Sequence, residues 1–291
     1  VRKSGSARGR PYAWPNVAGW HHVGLGPRSP APSLELCTPM PPRSRLPAGH
    51  EHLSNILFNQ GFGERRVCDG LVLKGLVQVN GELVDEPDAV FPEDRLNLVV
   101  DGLTWVSHVK ALIVLNKPTG YECSLKPGAW PGVHNLLPVP LRRRGLQPVG
   151  RLDQDTTGLL LMTDDGALLH KLTAPKHHVP KIYEVTCKHP ITQKDCDNLK
   201  RGVFLDDDPT VPVPADDAVR VLPEGAAPDA ETCQLRLTLI QGKYHQVKRM
   251  VAAVGNRVEA LHRSQIGRLT MPDDLAPGQW RWIDDPAIVL P

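Results

Sequence analysis

The stretch Gly150–Gly166, GRLDQDTTGLLLMTDDG, decides how the rest of the chain is read. Its apolar centre, LLLMT (159–163), reads as a buried strand, and Asp165-Gly166 as a turn after it. Four aspartates flank that strand: Asp153, Asp155, Asp164 and Asp165. Asp164 and Asp165 fit the turn, where Asp is favoured for its own backbone geometry. Asp153 and Asp155 admit a catalytic role or a plain one, an Asp-rich turn leading into a strand.

Working outward, the chain has 291 residues, enough for one large domain or two smaller ones with a real core. No apolar run approaches the roughly 20 residues of a membrane helix, and no compact apolar segment marks a signal peptide. Six cysteines at 37, 68, 123, 187, 196 and 233 form no CxxC pair. They read as reduced thiols of a cytoplasmic protein, most of them small buried hydrophobes. The net charge of +2 hides an asymmetry. Residues 1–49 carry seven Arg or Lys against the single acid Glu35, which leaves 27 basic and 31 acidic residues in the remainder. A nucleic-acid partner would therefore have to be met by local basic patches.

Residues 1–49, with nine prolines and six glycines, read as a disordered or irregular basic extension, with Met40 a candidate true start. From His50, EHLSNILFNQG places Leu53, Ile56, Leu57 and Gln60 at helical spacing before Gly61. ERRVCDGLVLKG suggests a second helix with Val67, Leu71 and Leu73 inward and Gly75 as its stop. VQVNGELV is a hairpin turning on Asn80-Gly81, and RLNLVVDG a further strand. Beyond Ala111 come strands in runs with few helices: ALIVLN, LLLMT, KIYEVTC (181–187) and TCQLRLTLIQG, with short helices at ALLHKLT and HQVKRMVAAVG. Residues 206–230 read as a Pro-rich acidic loop holding a short strand. The fold class is α+β, a mixed or antiparallel sheet preceded by a small αβ domain; the boundaries are 1–49, 50–105 and 106–291.

Two catalytic families bear on Asp153. Asp153-Gln154-Asp155-Thr156-Thr157 resembles the D-x-D-x-T of haloacid-dehalogenase phosphatases, whose first Asp attacks phosphate beside Mg²⁺. That family wants a buried apolar strand directly before the first Asp, whereas PVGRL with Arg151 stands there. The whole of GRLDQDTTGLLLMTDDG resembles instead the signature of RNA pseudouridine synthases, in particular those of the small-subunit rRNA type. LNKPTGYECS (115–124), KIYEVTC, GKYHQVKRMVAAVGNRVEALHRSQIG (242–267) and DLAPGQWR (274–281) continue the likeness in order, over residues 111–291. Residues 50–105 resemble an S4 RNA-binding module, strongest in LVLKGLVQVNGELV (71–84); HLSNIL and GERR depart from its usual opening.

The resemblance implies an isomerase that breaks the C1′–N1 bond of a flipped-out uridine and rejoins the ribose to C5, with no cofactor and no metal. Asp153 maps onto the essential aspartate, able to attack C1′, add at C6 or take the C2′ proton. Lys248, on the flank of a helix whose buried face is Val247, Met250, Val251 and Val254, is the candidate cation that keeps Asp153 ionised. Tyr183 is the stacking platform for the base. Asp155 is assigned to structure, pairing with an Arg or backbone N–H groups. Candidate RNA contacts are Arg151, Arg249, Lys181, His245, Arg65, Arg66 and Lys74, together with Arg142, Arg143 and Arg144 of LRRRG. The implied partner is small-subunit (16S) rRNA, met by a cytoplasmic monomer with no membrane contact. GKYHQVKRM and ALHRSQIG favour the small over the large subunit. The alternatives are a 23S rRNA synthase of the same family and a non-catalytic S4-type ribosome-assembly protein.

Overall fold

The computed structural model describes residues 46–206 and 208–290, and from Leu46 onward the chain forms one compact unit. The extension read over residues 1–49 lies, apart from its last four residues, outside the described residues.

The first elements are β1 (His50–His52), α1 (Leu53–Gln60), α2 (Arg65–Leu73), β2 (Val77–Val79), β3 (Glu82–Leu83), β4 (Val90–Pro92), β5 (Asn97–Val100) and β6 (Leu103–Val106). In α1 the stripe Leu53, Ile56, Leu57 and Gln60 is buried, and Gly61 ends the helix in the left-handed region at φ 89°. The inward face of α2 differs from the sequence reading. Cys68 and Val72 are buried and Leu71 packs against the core as expected, while Val67 and Leu73 face solvent. The apolar stripe is rotated because Cys68, a small hydrophobe here, takes the core position one turn before Val72. Burial pushes its thiol up to about 11. The β2–β3 hairpin turns on Asn80 and Gly81, both at positive φ (52° and 90°), as a type I′ turn requires. The small sheet runs β3-β2-β5-β6, and β1 pairs with β4.

There follow β7 (Leu112–Lys117), α3 (Val139–Arg143), β8 (Gln147–Pro148), β9 (Thr157–Thr163), α4 (Gly166–Thr173), β10 (Lys181–Cys187), α5 (Gln193–Arg201), β11 (Val203–Leu205), β12 (Asp208–Val213), β13 (Asp217–Arg220), β14 (Gln234–Leu239), α6 (Gln246–Ala253), β15 (Val258–Ile266), β16 (Leu269–Thr270) and β17 (Trp280–Trp282). The large sheet is ordered β13-β14-β10-β15-β9-β7-β17, with β8 and β16 paired at its side and β15–β9 its parallel contact. Alternation along β7 and β9 divides the core. Ile113, Leu115, Leu160 and Met162 pack with the α1–α2 layer, and Leu112, Val114, Leu159 and Leu161 with Leu172 and Val289. A third cluster joins α5 and α6 to β10 and β14.

Two local readings change. Residues 206–230 hold two strands, β12 and β13. Asp164-Asp165 is no hairpin turn: Asp165 caps α4, accepting from the N–H groups of Ala167 (2.9 Å) and Leu168 (3.2 Å). Asp164 instead accepts from Arg144, through Nε at 2.8 Å and Nη2 at 2.5 Å, and from the Ala111 N–H at 2.7 Å.

Gly158 sets the closeness of β9 and β15. It sits at φ 102°, and a Cβ there would lie 2.4 Å from the Arg263 carbonyl oxygen. Gly158→Ala should cost about 1–3 kcal/mol through overpacking alone, with positive-φ strain added. A thermal melt unchanged within error would show that the strands part freely.

Candidate active site

The turn between β8 and β9 projects Asp153 into a cavity of about 400 Å³. It is lined by the Gly150–Thr156 turn, the end of α4, sheet residues that include Lys181, Tyr183 and Arg263, and the loop from Gln241 into α6. A volume in this range suits a small polar ligand such as a nucleoside.

Lys117 holds the turn. It is fully buried at the end of β7, and its Nζ donates to the carbonyls of Asp153 (2.9 Å), Thr156 (2.8 Å), Pro118 (3.1 Å) and Gln154 (3.3 Å). Burial lowers its pKa against the pull of nearby anionic groups. The Thr156 N–H closes the turn onto the Asp153 carbonyl at 3.1 Å. The Asp153 backbone is thus fixed independently of its carboxylate.

That carboxylate is half-buried. Its Oδ2 lies 3.0 Å from Lys248 Nζ and its Oδ1 3.3 Å from His245 Nε2. Lys248 also reaches both oxygens of Asp155, at 2.7 and 2.9 Å. Asp155 therefore pairs with Lys248, where an arginine or backbone groups were expected. Burial works against both members of this pair, yet their mutual attraction prevails. Lys248 is raised above its ordinary value by Asp155 and Asp153, and Asp155 is lowered by Lys248.

Tyr183 packs against two of the three apolar clusters and lines the cavity from β10. His245 adopts the left-handed region (φ 47°) at the start of α6, and the exposed Tyr244 stacks on it at 3.8 Å. His245 thus stands beside Asp153 itself. Arg249 Nη1 donates to the Tyr244 carbonyl at 3.2 Å. Lys181 is half-buried in the cavity wall, donating to the Val179 carbonyl at 3.0 Å. Its pKa is lowered to about 8 by burial and by Arg263.

Arg151 is exposed and lines the cavity; outside it, Arg66, Lys74, Arg142 and Arg143 are exposed. Arg65 is also exposed, bonded to Asn55 and lying over the Phe58 ring. Arg143 Nη1 comes within 3.7 Å of where a Cβ on Gly63 would lie, so this patch adjoins α2. Arg144 departs from the expected phosphate contact. Its side chain is only 4% exposed, and it is consumed by Asp164 and the carbonyls of His108 (2.7 Å) and Val109 (3.2 Å). The sequence reading passes over Lys117 and Arg263. A lysine ending an otherwise apolar strand was the available signal for the first.

Among the described residues no group of three or more His, Cys, Asp or Glu is placed to hold a metal, and no helix is long and apolar enough to cross a membrane.

The family model for RNA pseudouridylate synthase matches residues 111–253, and that for the S4 domain residues 53–90. A Yersinia pestis protein named ribosomal small subunit pseudouridine synthase A is 46% identical, over 75% of this chain and 83% of its own length. Its namesake from Escherichia coli (strain K12) is 40% identical, over 76% of this chain and 92% of its own. A solved pseudouridylate synthase structure is 32% identical, covering 81% of this chain and 97% of its own at a TM-score of 0.55. The chain belongs to the RNA pseudouridylate synthase family and is an isomerase that acts on uridine in RNA.

Proposed function

We propose that this enzyme converts one uridine of small-subunit (16S) rRNA to pseudouridine, with Asp153 as its essential carboxylate. The observation that carries the reading is the meeting of Asp153, Lys248 and Tyr183 in one cavity, with Lys248 Nζ 3.0 Å from the carboxylate. The target base leaves its stack to enter the cavity. Stacking on Tyr183 contributes about 1–3 kcal/mol. The C1′–N1 bond breaks with its electron pair going to the base, and Asp153 meets the electron demand of the ribose. The base turns, C5 bonds to C1′, the C5 proton leaves and N1 gains one, so substrate and product are isomers.

In this reading residues 50–105 hold RNA and 106–291 carry the chemistry. Arg65, Arg66, Lys74, Arg142 and Arg143 contact phosphate, and Arg151 and Arg249 hold the strand near the cavity mouth. One chain supplies the carboxylate, the cation and the stacking ring, which supports a monomer. An rRNA substrate supports a cytoplasmic location. The small-subunit choice is supported by the names of the 46% and 40% identical relatives.

The test uses rRNA carrying tritium at uridine C5, with no added metal. Tritium should be released as water from small-subunit rRNA or its assembly intermediate, at one site, and not from large-subunit rRNA. Release from the large-subunit RNA alone would reassign the substrate, and no release from either would overturn the activity.

A further inference from the structure

One side of the cavity carries charge that the reaction above leaves idle. Arg263 on β15 is the cross-strand partner of Tyr183 on β10 and is paired on its other side with Gly158 of β9. Directly opposed residues share a sheet face, and Lys181 lies two positions before Tyr183 on the same strand. Lys181, Tyr183 and Arg263 accordingly line one wall. Arg263 is 1% exposed. Its Nε donates to the Leu159 carbonyl at 2.8 Å, but its Nη2 is buried with no hydrogen-bond partner. Among the described residues no carboxylate forms an ion pair with it. A buried guanidinium left in this state costs folding free energy, and such orphans mark a missing ligand. Lys181 beside it spends one donor on the Val179 carbonyl. Two cations side by side in the cavity wall, neither in an ion pair with a carboxylate among the described residues, form a receptor for negative charge.

The reaction generates such a charge at one place. Rupture of C1′–N1, whether by attack at C1′ or by removal of the C2′ proton, leaves a uracil anion whose charge spreads to O2 and O4. Addition at C6 would place it on O4 as an enolate. Every route loads the ring carbonyl oxygens. A backbone phosphate fits less well, because a hydrated phosphodiester would have to shed its water to reach a guanidinium that is 1% exposed.

We propose that Arg263, assisted by Lys181, receives a carbonyl oxygen of the uracil ring and holds the negative charge that develops on the base as the C1′–N1 bond breaks. Resting on the pseudouridine reading above, this makes Arg263 a catalytic residue that never touches Asp153. The electron pair of the broken bond resides on the base until C5 returns it to C1′. The C5 proton then departs and N1 is protonated, so the guanidinium transfers nothing and stays charged throughout.

The experiment uses the full chain and the tritiated small-subunit rRNA under single turnover, with RNA affinity from filter binding and folding from thermal melts. Wild-type release that Asp153→Asn abolishes establishes the underlying reading; no wild-type release overturns that reading and this proposal with it. With release in hand, Arg263→Gln should slow the bound-state rate by about 10²–10³-fold, with RNA affinity within about threefold. Arg263→Lys should recover at least tenfold of the loss. An unchanged rate would make Arg263 structural, and weakened affinity at an unchanged rate would make it a phosphate contact; either result overturns this proposal alone.

Should Arg263→Gln fail to fold, Lys181 decides the matter. Its ammonium faces Arg263 on β15, Asp216 ahead of β13, and Asp153, His245 and Lys248 around the cavity. Because Lys181 titrates at about 8, its charge is present below that pH and lost above it. The wild-type rate should therefore fall as pH rises from 7 to 9, and Lys181→Arg should carry the plateau through that range. A profile that Lys181→Arg does not move, together with an unaltered rate in Lys181→Met, would overturn the proposal.

Discussion

Asp153→Asn is expected to reduce tritium release by about 10⁴-fold or more, while the melting temperature moves by no more than a few degrees. The amide is isosteric with the carboxylate, and the backbone that aims it is anchored elsewhere, by Lys117 Nζ and the Thr156 N–H on its carbonyl. What disappears is the negative charge that answers the electron-poor ribose. Lys248 keeps a partner in Asp155 and does not become a lone buried cation. Asp155→Asn is the control. It removes half of the Lys248 pairing without touching the reacting centre, so it should retain most of the rate. The reverse pattern, an active Asp153→Asn and a dead Asp155→Asn, would transfer the role to Asp155.

The second large effect falls on Lys117. Lys117→Met keeps much of the side-chain volume but withdraws the ammonium shared by four carbonyl oxygens. Those carbonyls lie at the foot of the Asp153 turn, and the lysine itself is wholly buried. Leaving them unsatisfied should cost about 3–5 kcal/mol, seen as roughly 10 °C in the thermal midpoint of a unit this size. Activity at temperatures where the variant remains folded should also fall by roughly 10²-fold, because a carboxylate displaced by an ångström loses its alignment. A variant that melts like the wild type would show that water replaces the ammonium, and a stable, fully active one would remove Lys117 from the site.

Elements whose register is written by side-chain period were legible in the sequence. The α1 stripe of Leu53, Ile56, Leu57 and Gln60 and the Asn80-Gly81 turn stand where local chemistry put them. The inward face of α2 was misread because thiol and branched aliphatic side chains compete for one crossing, and only the fold decides that Cys68 wins. The same limit governed the polar groups. Local sequence makes Asp164-Asp165 a turn and Arg144 one of three surface arginines. Their pairing depends on α3 and the end of β9 being brought together across 20 residues of chain. Helix α5 carries a reciprocal capping box between Thr192 and Asp195 that was readable and passed over. Lys117 and Arg263 were missed for a different reason. On a strand, a buried cation and a solvent-facing one have the same period, and the acceptors that bury it lie far along the chain.

The Arg144 cluster has a consequence for how the target is picked. Its guanidinium ties β9, through Asp164, to α1 through the Gln60 side chain at 2.9 Å. Gln60 in turn accepts from Trp105 Nε1 at 3.2 Å and donates to the His108 carbonyl at 3.0 Å. A hinge at this junction would have to break several buried polar contacts at once. The arginines of α2 and the Asp153 cavity are therefore held at a constant spacing, and the molecule works as a caliper. Under the proposed function, an RNA held by those arginines would present to the cavity the nucleotide that lies one caliper-width away within the RNA fold.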